Sequence, residues 1–447
     1  MRVILPELKE LIRAKEAKLI RDLFRFFDPA DVAEVWDELT PEERVYLIST
    51  VNIADATDII ETLKAEQQRE ILNLLPEDKV KAILDRMSPD DRVDLIAELP
   101  REEQERFLKL MASEEEAETE ELLTYPEDSA GGLMTTDFAY AYDDMKVSDV
   151  LRHLRKIAKD LDDFHYVFII DRNKKIKGQV SLKDLITASP RQPITKIMDQ
   201  RIVSVLPLSD QEEVARVFAK YDRPSIPVVD RLGRLKGIIT SDDVIDVISE
   251  EATEDMHRFA ALTGETEDYL ATRTLTMAKR RITWLILLVF AGFLSGLVIE
   301  TYASVIRYMV ALSFFIPILT GSGGNAGMQS ATMVIRALAT GGVSVADFFR
   351  ILKKEIIIGI VCGLALGVAT GLRALLIQRS PILGVTVGLA MFGAVTLATA
   401  LGGIIPIIFK KLGIDPALTS GPLITTIMDA LTLLIYFGAA ITILRAF

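Results

Sequence analysis

ALTSGPLITTIMDALTLLIYFGAAITIL, residues 417–444, is apolar for long enough to cross a bilayer as a helix, which takes roughly 20 residues. One carboxylate, Asp429, sits inside it, with Thr425, Thr426 and Thr432 close by. An ionisable side chain at that depth costs at least roughly 2.5–3.5 kcal/mol on insertion scales. Asp429 therefore either lies on a water-filled cation path or is satisfied at a helix junction. The first reading makes the C-terminal part of the chain an ion pathway.

Upstream of that span, apolar segments run over 282–303, 305–337, 355–377 and 382–409, which with 417–444 makes five spans. Lys279, Arg280, Arg281, Arg336, Arg350, Lys353, Lys354, Lys410 and Lys411 fall on one side, against Arg307, Arg373, Arg379 and Arg445 on the other. That bias predicts a cytoplasmic N-terminus and an external C-terminus. Segment 305–337 is too long for one straight helix and contains Pro317, then GSGGNAGMQS (321–330). Backbone polar groups exposed there must be satisfied by protein or water. The expectation is a broken or loosened helix lining the same cavity as Asp429, or else a glycine-rich external loop. Gly359, Gly363, Gly367 and Gly371 recur every four residues, a stripe for close helix packing.

The chain before residue 282 is different material. Charged residues make up 26% of the sequence although the mean hydropathy is +0.28, which fits a polar half joined to an apolar half. The net charge of −13 argues against nucleic acid as a partner and suits cations. The single cysteine, Cys362, lies in an apolar segment, and His153, His165 and His257 show no metal-ligand spacing. No Ser/His/Asp set or phosphate-cradling loop is present, so an enzyme is not expected. The N-terminus lacks a signal-peptide core, which leaves the polar half in the cytoplasm and the protein in the cell (inner) membrane.

Residues 1–125 read as an acidic helical array. LTPEER (39–44), LPEDKV (75–80), MSPDDR (87–92) and LPREEQ (99–104) each close an apolar stripe, then restart a helix with proline and carboxylates at its N-terminus. Short helices so punctuated predict a superhelix of stacked pairs. Most acids are its solvated face, and 114–121 reads as a solvated stretch before a linker. Asp90 and Asp94 share a helix face, where like charges repel unless a cation neutralises them.

Residues 126–250 hold a duplication. YVFIIDRNKKIKGQVSLKDLI, from Tyr166, and SIPVVDRLGRLKGIITSDDVI, from Ser225, are offset by 59 residues and match Asp171 with Asp230, Gly178 with Gly237, Ser181 with Thr240 and Asp184 with Asp243. Each copy is strand, turn, strand, then a helix capped by Ser or Thr. The G-x-x-[ST]-x-x-D phrase resembles that of tandem cystathionine-β-synthase (CBS) domains. The resemblance implies an α/β module that binds adenine nucleotide such as ATP, with Ser181, Asp184, Thr240 and Asp243 near the ribose; alternatively these four only cap helices. After it, residues 251–281 read as an acidic connector, its cluster of basic residues coming only at Lys279, Arg280 and Arg281. Asp243, Asp246, Glu250 and Glu254 fall on one helical face leading into it. It is either a solvated helix or a cation-responsive link to the membrane half, residues 282–447.

Domain order, GGNAG in the second span and DPALTSGPLITTIMD before the fifth together resemble the MgtE family of magnesium channels over essentially the whole chain. The resemblance implies a multidomain membrane protein: an all-α N-terminal domain, a CBS pair and an all-α domain of five transmembrane helices. It implies a homodimer with the pore between protomers, lined by the second and fifth spans. Asp429 would select hydrated Mg²⁺, Asn325 and Thr332 would line the pore, and Asp415 and Gly421 would flank its cytoplasmic mouth. The regulatory acids matching the family are Asp58, Asp90 and Asp94, then Asp210, Glu212, Asp222, Asp242, Asp243, Asp246, Glu251, Glu254 and Asp255. Met328 departs from the pattern, since some members carry a second Asn there. The expected function is Mg²⁺ uptake through a channel that cytosolic Mg²⁺ closes. The rivals are an ion-coupled divalent-cation transporter and a membrane-anchored nucleotide sensor.

Overall fold

The proline punctuation does what its chemistry requires. In the computed structural model, which describes residues 5–24, 26–158, 161, 164–260, 272–416 and 421–446, ten α-helices run from α1 (Leu5–Arg13) to α10 (Ser113–Leu122). Pro29, Pro41 and Pro89 occupy first-turn positions, where a missing N–H costs nothing. At Thr40 the hydroxyl accepts the Glu43 N–H (3.3 Å) while the Glu43 carboxylate accepts the Thr40 N–H (3.1 Å). Helices pack mostly on the helix two further along: α3 (Pro29–Ala33) on α5 (Ile53–Glu61), α5 on α7 (Glu77–Leu84), and α6 (Ala65–Leu74) on α8 (Pro89–Ala97). One continuous core results, with Trp36, Leu47, Ile59, Ile83 and Phe107 fully buried.

The segment 114–121 departs from expectation. It forms α10 and packs on α8, where Thr119 is buried and Glu118 pairs with Arg92 at 2.8 Å, while Glu121 pairs with Lys236 at 2.9 Å.

The duplication is visible in register. β1 (Tyr140–Tyr142) pairs parallel to β2 (Tyr166–Ile170), which pairs antiparallel to β3 (Ile176–Ser181); β4 (Ser225–Val229) pairs antiparallel to β5 (Leu235–Thr240). The ladder shifts at Ile169/Ile170 in one copy and at Val228/Val229 in the other, again 59 residues apart. Each copy borrows an edge from its partner: Thr135, ahead of β1, exchanges backbone bonds of 2.8 and 2.9 Å with Ile238, and Asp199, ahead of β4, exchanges bonds of 2.8 and 3.0 Å with Gln179. Asp171 and Asp230 shape equivalent turns, Asp171 Oδ1 accepting the N–H groups of Asn173 and Lys175, and Asp230 Oδ1 those of Leu232 and Arg234. Helix α14 (Ser241–Phe259) then runs unbroken past residue 250, so the last helix of the pair and the start of the expected connector are one element. Residues 261–271 of that connector lie outside the described residues, and 274–281 open the first apolar helix.

The chain divides into compact units 1–248 and 249–447. In the second, α15 (Thr274–Thr301), α18 (Phe348–Gln378), α19 (Pro381–Lys411) and α20 (Gly421–Ala446) supply four helices long and apolar enough to cross a membrane among the described residues. A further helix, α17 (Ile316–Ala339), packs on α19 and α20. The expected break at GSGGNAGMQS is not there. α17 is a continuous α-helix through it, so its backbone groups are satisfied within the helix, and the irregular backbone is a 3₁₀ turn at Val310–Phe315. The glycines bring neighbours close instead. A Cβ on Gly323 would lie 2.3 Å from Thr432 Oγ1, and one on Gly327 would lie 2.8 Å from Met428 Cγ. The four-residue glycine stripe seats α18 on α19, where Cβ atoms on Gly363 and Gly367 would meet the carbonyls of Phe392 and Gly388 at 2.7 and 2.6 Å.

Candidate functional site: an acidic cluster and a polar helix face

In the first unit, the proline start of α8 puts Asp90, Asp91 and Asp94 on its first turns, and the cap of α14 brings Asp243 to them. Thr240 donates to Asp243 Oδ2 at 2.7 Å, which fixes that carboxylate. Asp90 Oδ1 is buried with no hydrogen-bond partner among the described residues. Burial and the charge of Asp91 raise the Asp90 pKa; burial and the charges of Asp90, Asp242 and Asp91 raise that of Asp243. Asp94 keeps an exposed face, yet desolvation of its inner side, followed by the charges of Asp90, Asp91, Glu127 and Glu98, pushes its pKa up to about 8. Among the described residues no three of these acids converge closely enough to hold a metal ion between them, so the cluster offers an orphaned buried carboxylate oxygen among mutually repelling aspartates, the oxygen chemistry that a hard divalent cation takes.

Arg92 positions this cluster, and nothing in the sequence pattern singled it out. Its guanidinium, 2% exposed, donates to Thr119 Oγ1 (2.8 Å), Glu118 (2.8 Å) and the carbonyls of Met87 (3.3 Å) and Leu84 (3.4 Å). Thr136, ahead of β1, donates to the same Glu118.

Other expected ligands are dispersed. Asp58 is half-buried on α5, whose Glu61 accepts the Ser88 N–H at 3.0 Å. On α13 (Gln211–Tyr221), Asp210 caps the N-terminus, Glu212 pairs with Arg216 at 3.1 Å, and Asp222 ends the helix with a left-handed φ of 52°. The two ends of that helix are roughly 16 Å apart, too far for one ion. Asp242 and Asp246 lie exposed on α14.

Ser181 and Asp184 cap one another at 2.6 Å, and Ser181 lines a cavity of about 380 Å³ with Phe164, His165, Tyr166, Lys183 and Pro224. Aromatic walls, a hydroxyl and an ammonium group fit a nucleotide's base, sugar and phosphates. The matching pair in the second copy, Thr240 and Asp243, belongs to the acidic cluster.

In the second unit, Glu251, Glu254 and Asp255 are half-buried on the last turns of α14. Arg258 donates to Glu254 and to Asp415. Burial opposes its charge, but the bond to Asp415 and the charges of Asp415, Glu254 and Glu251 outweigh that and raise its pKa.

Asp429, on α20, has no hydrogen-bond or ion-pair partner among the described residues, and its Oδ1 lies 3.5 Å from where a Gly324 Cβ would sit. Next to Gly324, α17 turns Asn325, Gln329, Thr332 and Arg336 outward, all exposed at spacings of four, three and four. Gln329 and Arg336 were legible as members of this face only from that spacing. Thr332, Thr425 and Thr426 donate to backbone carbonyls within their own helices at 2.8–2.9 Å. Gly421 begins α20; residues 417–420 of the opening stretch lie outside the described residues.

Comparison with known proteins agrees with this anatomy. Family models match at residues 27–128 (MgtE intracellular N domain), 130–191 and 194–250 (CBS domain) and 316–439 (MgtE, divalent cation transporter). The chain is 37% identical over 442 residues to Magnesium transporter MgtE of Thermus thermophilus, covering 98% of each. It is 35% identical over 434 residues to the Bacillus subtilis protein of the same name, covering 96% of this chain and 95% of that one. Among solved structures, the cytosolic domain of the Mg²⁺ channel MgtE in complex with ATP matches at 38% identity and TM-score 0.51, over 54% of this chain and 98% of that one. The soluble part of a magnesium transporter matches at 29% identity and TM-score 0.54, over 56% and 99%. The chain belongs to the MgtE family of divalent-cation transporters.

Proposed function

We propose that this protein is a Mg²⁺ channel for uptake across the cell membrane, working as a homodimer with α17 and α20 around the pore. The observation that carries this is Asp429, without a hydrogen-bond or ion-pair partner among the described residues, beside the outward polar face of Asn325, Gln329, Thr332 and Arg336. Such a face is costly against hydrocarbon and cheap against water or a second copy. A twofold axis along it would set two Asp429 carboxylates across a common path. Mg²⁺ dehydrates reluctantly, so a sparse ring of carboxylate, amide and hydroxyl oxygens can hold its waters without stripping them.

Closure falls to the cluster of Asp90, Asp94 and Asp243. A divalent ion supplies the positive charge that lets these acids sit together. With it, α8 and the start of α14 stay joined; without it, their repulsion favours separation, and α14 carries the change toward the membrane half. The two states differ in affinity for the ion, which is what lets cytosolic Mg²⁺ bias them. The cavity beside Ser181 is the place for ATP.

The test is Mg²⁺ influx into liposomes holding the full chain. Asp429→Asn should lower influx at least about tenfold, as expected for removing a pore charge worth more than about 1.4 kcal/mol. Asp90→Asn/Asp94→Asn/Asp243→Asn should conduct but ignore Mg²⁺ on the side of the polar half. Undiminished influx in Asp429→Asn would sink the pore reading. Saturable flux tied to a second ion would make the protein a coupled transporter.

A further inference from the structure

The second unit starts at Ser249, so the last turns of α14 and the apolar helices are packed in one body. Where α14 ends, Phe259 meets the first residue of α20: its ring atoms Cε1 and Cζ lie 3.4 Å from the point a Gly421 Cβ would occupy, and Met328 Sδ lies 3.1 Å from that same point. One residue earlier, Arg258 donates to Asp415 and to Glu254 one turn back. Glu254 and Asp415 would repel each other across this junction, and the guanidinium fills the place of a neutralising cation. The Phe259 ring and the Met328 thioether both pack against the backbone of Gly421, an apolar seat for the end of α14 at the start of α20. Both contacts are made by side chains of this chain alone.

We propose that Arg258, Phe259 and Met328 form a built-in clasp that holds the connector helix on the pore helices without metal, so that the pore is partly closed before any cytosolic Mg²⁺ binds. This rests on the channel reading above. The clasp and the ion act on one open–closed equilibrium, and each stabilises only the closed state. Breaking the clasp therefore shifts the whole Mg²⁺ response.

The experiment is open probability of the reconstituted full chain with EDTA on the side of the polar half, then with Mg²⁺ titrated in. Phe259→Ala and Arg258→Gln should open the metal-free channel about 3–10-fold more and raise the Mg²⁺ needed for half-closure by a similar factor, within the usual range of such couplings. Arg258→Lys should keep more of the wild-type response than Arg258→Gln, since it keeps the charge. As a check independent of these variants, Phe259→Cys with Gly421→Cys, in a Cys362→Ser background, should cross-link under mild oxidation in EDTA. Wild-type responses in Phe259→Ala and Arg258→Gln, or no cross-link, would overturn the clasp while leaving Mg²⁺ gating intact. A wild type that conducts no Mg²⁺, or conducts it without responding to it, would instead sink the channel reading and the clasp with it.

Discussion

Asp171 and Asp94 show how far one residue type depends on its surroundings. Asp171 accepts backbone N–H groups in a turn, bonds that favour its charged form and lower its pKa, whereas Asp94 is desolvated, crowded by other carboxylates and raised to about 8. The sequence marked both as matched or patterned acids, and only their neighbours separate turn former from cation candidate. Arg92 is the counterpart: a buried cation whose side-chain partners come from 26 and 27 residues away. Removing one member of a buried pair usually costs about 3–5 kcal/mol, but Glu118 is 33% exposed, so screening lowers the expectation for Arg92→Leu to about 2–3 kcal/mol. Denaturation followed by Trp36 fluorescence, in a Trp284→Phe background, measures it in the first unit, because Trp36 is buried there. A loss below about 0.5 kcal/mol, the range of ordinary surface changes, would show that the network is dispensable.

At the scale of elements, glycine spacing has two meanings on neighbouring helices. On α18 the stripe is contact: a Cβ on Gly367 meets a carbonyl oxygen, an atom that cannot swing away. Gly367→Ala should destabilise the membrane unit by about 1–3 kcal/mol, the usual cost of overpacking. On α15, Cβ atoms on Gly292 and Gly296 meet nothing within 4 Å. Gly296→Ala should then be neutral or stabilising by up to about 1 kcal/mol through helix propensity. Thermal unfolding of the two variants in one detergent separates these outcomes, and equal shifts would refute the contact argument. α17 holds the same lesson. Its glycines suggested a break, yet a helix satisfies its own backbone, and small residues let α19 and α20 close against it.

For the whole molecule, the acidic cluster makes stability depend on pH in a definite direction. Asp94 is raised to about 8 from an ordinary 3.8, and Asp90 and Asp243 are raised too, so the folded state binds more protons than the unfolded one. Their contribution is therefore full below about pH 4 and is lost as pH rises toward about 8. Without metal, the Trp36 unfolding midpoint should fall over that window, and millimolar Mg²⁺ should restore it most at the alkaline end, where no proton has to leave first. A midpoint flat in pH, or a Mg²⁺ effect larger at acid pH, would count against the cluster as the ion's site.

The sequence by itself determined the order of parts: helical array, duplicated α/β module, acidic helix, apolar helices with one carboxylate. Periodicity, proline and cap chemistry, and a repeat of 59 residues are local or self-referential signals, so no tertiary contact is needed to read them. Asp90, Asp94, Asp243, Asp429 and Asn325 could be named as candidates in the same way, from pattern and resemblance. Only the fold shows that Asp243 lies beside the acids of α8, that Arg92 anchors α8, and that α17 is unbroken. It also placed Phe259, Met328 and Gly421 together. Those facts depend on which residues, distant along the chain, share a few ångströms of space, and composition and spacing do not encode that distance.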